Sequence, residues 1–193
     1  MKKDIILAGV GGQGILSIAA IIGLTAVDMG LSIKQAEVHG MSQRGGDVQS
    51  HLRLSDKDIA SDLIPFGKAD MIISVEPMEA LRYLPMLSPE GWVITNTKPF
   101  INIPNYPNND ALIKEINSLP KHIALDADKI AREIGSVKSA NMVILGASAP
   151  FLEIPYENLE KSIENLFKRK GDSVVKINKD ALRAGMDFAQ KNK

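Results

Sequence analysis

The stretch LAGVGGQGILSIAAIIG, residues 7–23, joins two apolar runs through a segment in which four glycines surround one glutamine. The run that leads into it, KDIILAGV (3–10), is typical of a buried strand. The run that follows predicts a helix from Gly12 to about Met29 that is apolar on almost every side, as in a helix buried on more than one face. A strand that passes through a glycine loop into a helix begins an α/β unit, so this stretch decides the fold class.

The rest of the chain continues the alternation of strands and helices. It predicts a single domain over residues 1–193, an α/β three-layer Rossmann-like fold with a mostly parallel sheet and C-terminal helices. Residues 98–110 carry three prolines and four asparagines and predict an irregular loop. The further predicted strands are 32–39, 48–56, 69–77, 91–97 and 121–127, and the further predicted helices are 77–84, 128–135, 139–152 and two that close the chain.

Composition excludes several classes of function. The 193 residues have a net charge of zero, so nothing favours broad attraction to nucleic acid or to an anionic membrane. No apolar run reaches the roughly 18 residues of a membrane span, and the cytoplasm is the expected location. The chain has no cysteine, so it supplies no thiolate nucleophile and no iron–sulfur ligand. Any redox centre that it serves is therefore an organic cofactor or belongs to another chain.

The glycine loop fits the pattern of phosphate-binding turns. Gly9, Gly11 and Gly14 form G-x-G-x-x-G between a strand and a helix, the context that a dinucleotide fingerprint requires. Glu37 is a loose candidate for the acidic residue that binds a ribose, whereas Gly12 and Gln13 add a polar patch that the fingerprint does not demand. Three interpretations stay open: a nicotinamide or flavin site, a site for another phosphate-bearing group, and a structural turn. No Gly-Lys-Ser/Thr follows, which excludes a Walker motif.

A second glycine-rich loop, EVHGMSQRGG (37–46), gathers polar residues at a predicted strand end, where binding groups are common. In the alternative interpretation Arg44 pairs with Glu37, and His39 hydrogen-bonds to the backbone. The candidate binding residues of this loop are Glu37, His39, Gly40, Ser42, Gln43, Arg44, Gly45 and Gly46.

Three segments together carry a resemblance to a known family. They are GVGGQG (9–14), EVHGMSQRGGDVQSHLRLSD (37–56) and EPMEALRYLPMLSPEGWVITNT (76–97), and the likeness continues more weakly through NMVILGA (141–147). In this order they resemble the gamma subunit or domain of 2-oxoacid:ferredoxin oxidoreductases, and in particular the small, beta subunit of indolepyruvate:ferredoxin oxidoreductase. The combination is specific, whereas either glycine motif alone is not.

The resemblance implies an oxidative decarboxylation in which indolepyruvate, or another 2-oxoacid, and coenzyme A give acyl-CoA, carbon dioxide and two reduced ferredoxins. It also implies that thiamine diphosphate, magnesium and the iron–sulfur clusters belong to a large partner subunit, so that this chain binds none of them by itself and is inactive alone. The sequence agrees, because it lacks cysteine and lacks the Gly-Asp-Gly and downstream Asn-Asn pattern by which thiamine enzymes hold their metal.

The resemblance suggests that loops 9–14 and 39–46 lie at the contact with the thiamine-bearing subunit. There the loop amides and Gln13 are expected to meet a phosphate or carboxylate of coenzyme A or substrate. Arg44 is expected to bind an anion with two hydrogen bonds, and His39 is a candidate proton carrier. No residue of this chain is assigned as catalytic. The rival interpretations are a stand-alone nicotinamide-binding oxidoreductase and a purely structural assembly subunit.

Four other polar residues receive mainly structural interpretations. Glu76, before Pro77, is expected to cap a helix or to pair with a charge, with a role in the site as the alternative. Asn141 is interpreted as a helix cap or a core hydrogen-bonding residue, with a ligand role as the alternative. His51 and His122 have no second ligand at metal spacing, so no metal site is predicted. The cluster KRKG (168–171) is expected to be a solvated helix end.

Overall fold

A computed structural model describes residues 1–39 and 45–193, with His39 described by its backbone alone. The strands are β1 (Lys2–Val10), β2 (Ser32–His39), β3 (Asp47–Ser55), β4 (Ala69–Ser74), β5 (Leu87–Asn96) and β6 (His122–Leu125). The helices are α1 (Ile15–Asp28), α2 (Pro77–Arg82), α3 (Asn109–Asn117), α4 (Ala127–Glu133), α5 (Ala140–Ser148), α6 (Tyr156–Phe167) and α7 (Asp172–Asn192).

The six described strands form one sheet in the order β2-β3-β1-β4-β5-β6. Pairings β1–β4, β4–β5 and β5–β6 are parallel, whereas β3 runs antiparallel to both β1 and β2. Five strands therefore point in one direction and β3 alone is reversed. The predicted mostly parallel α/β sheet is confirmed.

Helices cover both faces of this sheet. Alternate residues of each strand point to opposite sides, so one strand contributes to the cores on both faces. On β1, Ile5 and Leu7 face a large core that contains residues of α1, α4, α5, α6 and α7. Ile6 lies in a smaller core on the other face, with Ala80 of α2 and Met86. The three-layer arrangement with C-terminal helices is therefore confirmed. Among the described helices, none has both the length and the apolar character of a membrane span.

Several element boundaries differ from the predicted ones. Helix α1 begins at Ile15 rather than Gly12, because Gly12 and Gly14 adopt left-handed φ angles of +101° and +82° that a helix cannot contain. Strand β4 ends at Ser74, and Ser148 ends α5 before a short 3₁₀ turn. Helix α3, which the sequence did not predict, begins inside the supposed loop 98–110.

Candidate functional site

The candidate site lies at the edge of the sheet where the parallel strands end. Strand β1 leads into α1 on one face of the sheet, and β4, its neighbour, leads into α2 on the other. Between two such strands the chain leaves a crevice above the carboxyl ends, the usual place for a ligand in open α/β sheets. The glycine loop 9–14 lies at this crevice.

Gln13 fixes the glycine loop from within. Its Oε1 accepts a hydrogen bond from the Val10 amide at 2.8 Å, and its Nε2 donates to the Val75 carbonyl at 3.4 Å. This side chain thereby connects the ends of β1 and β4. The side-chain amide of Gln13, a candidate anion ligand from the sequence, is thus hydrogen-bonded to backbone groups. Its role in the isolated chain is to shape the loop.

Asn141 supports the loop from the opposite side. Its Nδ2 donates to the Gly14 carbonyl at 3.1 Å. The residue flanking the first turn of α5 is Ser139, and no side chain caps that turn. Of the two structural interpretations of Asn141, the cap is therefore wrong, and the hydrogen bond is what the geometry shows.

Two adjoining cavities open beside the loop, with volumes of about 160 and 640 Å³. Gly12, Gln13, Lys138 and Asn141 line both of them. The smaller cavity is completed by the ends of β4 and β5, by α4, and by α5 with the turn that precedes it. The larger one extends between the start of α1 and the α6–α7 region. Together they form a groove, called here the loop groove.

The loop groove combines positive charge with apolar surface. No side chain caps the N-terminus of α1, where backbone amides carry partial positive charge. Lys138 and Lys170 add two cations, and Phe167 and Ile177 add apolar surface. An elongated anion with an apolar portion fits this lining. Sequence reasoning missed both lysines, since Lys170 was assigned to a solvated helix end and Lys138 belongs to no motif.

Asn96 organises the smaller cavity. This residue is only 3% exposed, its Nδ2 donates to Asp128 Oδ2 at 2.7 Å, and its Oδ1 accepts from the Ala127 amide at 3.0 Å. Asn96 therefore fixes both the start of α4 and the carboxylate of Asp128. That carboxylate adds a negative charge to the lining of the smaller cavity, which also contains Lys138.

A backbone hydrogen bond connects the second loop to the first, and a side chain of loop 98–108 also contacts the second loop. The Gly11 amide donates to the Gly46 carbonyl at 2.9 Å, and Asn102 Nδ2 donates to the Gly45 carbonyl at 2.6 Å. Strand β2 ends at His39 and β3 begins at Asp47, both at the edge where β1 ends. The predicted loops thus meet at Gly11 and Gly46. The predicted ligands Gly40, Ser42, Gln43, Arg44 and the His39 side chain lie outside the described residues.

Glu37 lies away from the loop groove. Strand β3 separates β2 from β1, so Glu37 is two strand spacings, ~10 Å, from the strand that carries the glycine loop. Its Oε1 accepts a hydrogen bond from Gln35 Nε2 at 2.5 Å. A dinucleotide fold places its ribose-binding carboxylate on the strand next to β1. The strand order therefore argues against a ribose at Glu37.

Glu76 is a buried carboxylate with three hydrogen-bond donors. It accepts from the Glu79 amide at 2.9 Å, which confirms the predicted cap of α2. It also accepts from the Phe100 amide at 3.3 Å and from the Tyr106 hydroxyl. Burial and the hydrogen bond to Glu76 raise the pKa of Tyr106, which therefore stays a donor. The attachment of loop 98–108 to Glu76 was not predicted from the sequence.

His51 and His122 make contacts of a structural kind. His51 Nδ1 accepts from the Ile64 amide at 3.0 Å, and the Nδ1 of His122 lies 2.8 Å from the Leu119 carbonyl. Within residues 1–39 and 45–193, no three His, Asp or Glu side chains come together as a metal site requires.

Comparison with known proteins assigns the family. The sequence model described as "Pyruvate ferredoxin/flavodoxin oxidoreductase" matches residues 4–188. The chain belongs to this family and is a subunit of the 2-oxoacid:ferredoxin oxidoreductase type. Within the family it is similar to indolepyruvate oxidoreductase subunit IorB of Archaeoglobus fulgidus, with 38% identity over 98% of this chain and 96% of that one. The resemblance to the small subunit of indolepyruvate oxidoreductases is confirmed.

Two solved structures share the fold. Pyruvate oxidoreductase subunit PORC of Thermotoga maritima has a TM-score of 0.74 and 23% identity, with 96% of each chain covered. The 2-oxoglutarate:ferredoxin oxidoreductase of Magnetococcus marinus, solved with 2-oxoglutarate, coenzyme A and succinyl-CoA bound, has a TM-score of 0.78 and 21% identity. The match covers 98% of this chain and 31% of that longer chain.

Proposed function

We propose that this chain is the small subunit of an enzyme that oxidatively decarboxylates indolepyruvate or another arylpyruvate. One 2-oxoacid, one coenzyme A and two oxidised ferredoxins give acyl-CoA, carbon dioxide, two reduced ferredoxins and one proton. Similarity to IorB over nearly the whole chain supports the substrate class. The loop groove, which joins the α1 terminus and two lysines to apolar surface, is the observation that supports an anionic co-substrate such as coenzyme A.

The proposal places thiamine diphosphate, magnesium and the iron–sulfur clusters on a large partner subunit. Thiamine diphosphate supplies the electron sink for decarboxylation, and iron–sulfur clusters carry the two electrons to ferredoxin. The absence of cysteine from this chain supports that division, because thiolates hold such clusters. We therefore expect the isolated chain to be inactive.

Residues 1–193 are proposed to act as one domain, and the cytoplasm, where coenzyme A and ferredoxin occur, is the proposed location.

In this scheme the residues of the chain bind and orient, and none carries a chemical step. The amides at the start of α1, with Lys138 and Lys170, hold phosphate groups of coenzyme A through hydrogen bonds and charge. Gln13 and Asn141 keep the glycine loop in the shape that exposes those amides. Arg44 and His39 stay proposed as ligands for an anion at the contact with the large subunit.

The test is reconstitution of the complex and measurement of indolepyruvate-driven, coenzyme A-dependent viologen reduction. Lys138→Ala is expected to raise the KM for coenzyme A about fivefold with little change in kcat, since an exposed ion pair contributes about 1 kcal/mol at most. The matched control is Lys57→Ala, an exposed lysine just beyond the end of β3, at the opposite edge of the sheet. The same assay tests Arg44→Ala, which is expected to weaken substrate or coenzyme A use or to loosen assembly.

Two outcomes would contradict parts of the proposal, the first its coenzyme A site and the second the assigned function. One is a Lys138→Ala complex with the same KM for coenzyme A as the wild type and the Lys57→Ala control, which would remove coenzyme A from the loop groove. The other is an isolated chain that binds NAD and does not associate with a thiamine-containing subunit, which would favour the stand-alone oxidoreductase.

A further inference from the structure

Loop 98–108, between β5 and α3, exposes three large apolar side chains within four residues. Phe100 is 42% exposed, Ile101 73% and Ile103 36%. We call these three residues the apolar ridge. No charged residue occurs in the segment 99–109 that contains them. Protein–protein interfaces show this combination at their centres, where charged residues are depleted and large apolar side chains are enriched.

The ridge is held in place rather than left loose. The Phe100 amide and the Tyr106 hydroxyl both donate to the buried carboxylate of Glu76, at the two ends of the segment that carries the ridge. Three prolines in loop 98–108 restrict its backbone further. A loop that is ordered before binding loses little entropy when a partner covers it.

The ridge lies beside the candidate site. Asn102, within the ridge segment, donates to the Gly45 carbonyl at 2.6 Å, and Gly46 is hydrogen-bonded to Gly11 of the glycine loop. Loop 98–108 follows the carboxyl end of β5, so the ridge and the loop groove share one edge of the sheet. A partner that covers the groove from this edge meets the ridge as well.

A second exposed apolar pair offers a contrast. Leu63 is 53% exposed and Phe66 is 78% exposed. Both precede β4 and therefore lie at the opposite edge of the sheet. The segment that contains them, residues 58–68, also carries the charged residues Asp58, Asp62 and Lys68. Exposure alone does not distinguish the two patches, but the neighbouring charges and the position do.

We propose that the apolar ridge is the docking surface for the large, thiamine-bearing subunit, which contacts it through an uncharged apolar recess. This inference rests on the proposed function, since it takes the same partner. The Magnetococcus marinus chain supports that occupant: the matching fold makes up 31% of its length, so there the fold is tethered to the remainder of the oxidoreductase. The ridge adjoins the loop groove, where the proposed function brings coenzyme A together with the thiamine-bearing subunit. A subunit bound at the ridge therefore lies beside the groove.

The test compares Ile101→Asp with Phe66→Asp, two charge introductions at sites of similar exposure on opposite edges of the sheet. The full chain is titrated against the purified large subunit, and the Kd is measured by calorimetry. Ile101→Asp is expected to weaken binding by at least about tenfold, as loss of a central interface residue does, and Phe66→Asp by less than about twofold. Thermal unfolding of each free variant verifies that it folds.

Every other outcome contradicts the proposal that the apolar ridge is the docking surface. If the wild type binds the large subunit and Ile101→Asp binds equally well, or if Phe66→Asp weakens binding as much, the ridge is not the docking surface and the proposed function stands. If light scattering shows that Ile101→Asp separates a dimer of this chain while binding to the large subunit is unchanged, the ridge belongs to self-association. If the wild type does not bind the large subunit, the docking surface and the proposed function both fail.

Discussion

Gly14 is the residue of the glycine loop at which both the backbone and a neighbouring side chain exclude any larger amino acid. Its φ is +82°, and a Cβ added there would lie 2.5 Å from Asn141 Nδ2. That same Nδ2 donates to the Gly14 carbonyl. At Gly12, by contrast, φ is +101° and nothing lies within 4 Å of an added Cβ. The two glycines therefore share a backbone requirement, and only Gly14 adds a requirement for close approach.

This difference predicts unequal effects of alanine. Gly12→Ala is expected to lower the free energy of unfolding by about 1–2 kcal/mol through its left-handed backbone alone. Gly14→Ala is expected to cost about 1–2 kcal/mol more, because Asn141 must move and its hydrogen bond is lost. Urea unfolding of both variants measures the difference. Equal losses would show that the Asn141 contact contributes nothing, and Asn141→Ala in the Gly14→Ala background provides the control.

His51 predicts a dependence of stability on pH. Burial lowers its pKa from the ordinary value of 6.5, Arg53 lowers it further, and Asp62 opposes the shift. Its Nδ1 must be unprotonated to accept from the Ile64 amide. The unfolded chain therefore takes up a proton near pH 6.5 while the folded chain does not. Stability is complete above pH 6.5 and falls as the pH drops toward the lowered value of the folded state.

The expected loss is at most about 1.4 kcal/mol per pH unit, the limit for one proton. Urea unfolding of the wild type and of His51→Gln between pH 7.5 and about pH 5 measures it. Glutamine keeps an acceptor without titrating, so its slope over this range is expected to be shallower. Identical slopes in the two proteins would assign the dependence to other groups.

At the scale of elements, α5 and α7 contact each other backbone to backbone. A Cβ on Gly146 would lie 1.9 Å from the Leu182 carbonyl oxygen, and a Cβ on Gly185 would lie 1.9 Å from that of Val143. Neither neighbour can move independently, because each is part of a helix. The packing of α7 on α5, which closes the larger core, thus depends on two glycines.

Gly146→Ala is therefore expected to lower the free energy of unfolding by about 3 kcal/mol, the upper part of the range for overpacking. Gly23→Ala in α1 is the matched control, because its added Cβ meets only the flexible end of Ile33, at 2.9 Å. Alanine favours helix by about 1 kcal/mol over glycine, so this control is expected to be neutral or stabilising. Calorimetric unfolding compares the two variants, and similar losses would contradict the proposed backbone contact.

The sequence predicted the bounds of β2 more accurately than those of the other strands. Strand β2 begins and ends at the predicted residues 32 and 39. Helix α3 was missed because Ile116 is its one fully buried residue and it follows a proline- and asparagine-rich segment. Its signals were an Asn108 cap, which accepts from the Ala111 amide at 3.1 Å, and Asp110 in the first turn.

At the scale of the whole molecule, the α/β class followed from alternating patterns, but the strand order did not. No local signal shows that β3 inserts between β1 and β2, because pairing partners depend on long-range packing. That insertion is why Glu37, at a suitable spacing in sequence, lies far from the glycine loop. Likewise, the sequence indicated the two glycine loops as a site but could not reveal that Lys138, Lys170 and Asn141 converge on the first loop from distant segments.

The position of β2 at the end of the sheet has a consequence for how the protein behaves in concentrated solution. Among the described strands β2 has one neighbour, so the outer edge of its eight residues presents backbone groups to which another chain can add. With an isoelectric point near 6.8, the protein has little charge repulsion at neutral pH to oppose such association. The exposed Lys34, Gln35 and Glu37 are then the local protection against aggregation. Buffers well above pH 6.8 are therefore expected to limit association without the loss of stability that His51 predicts at lower pH.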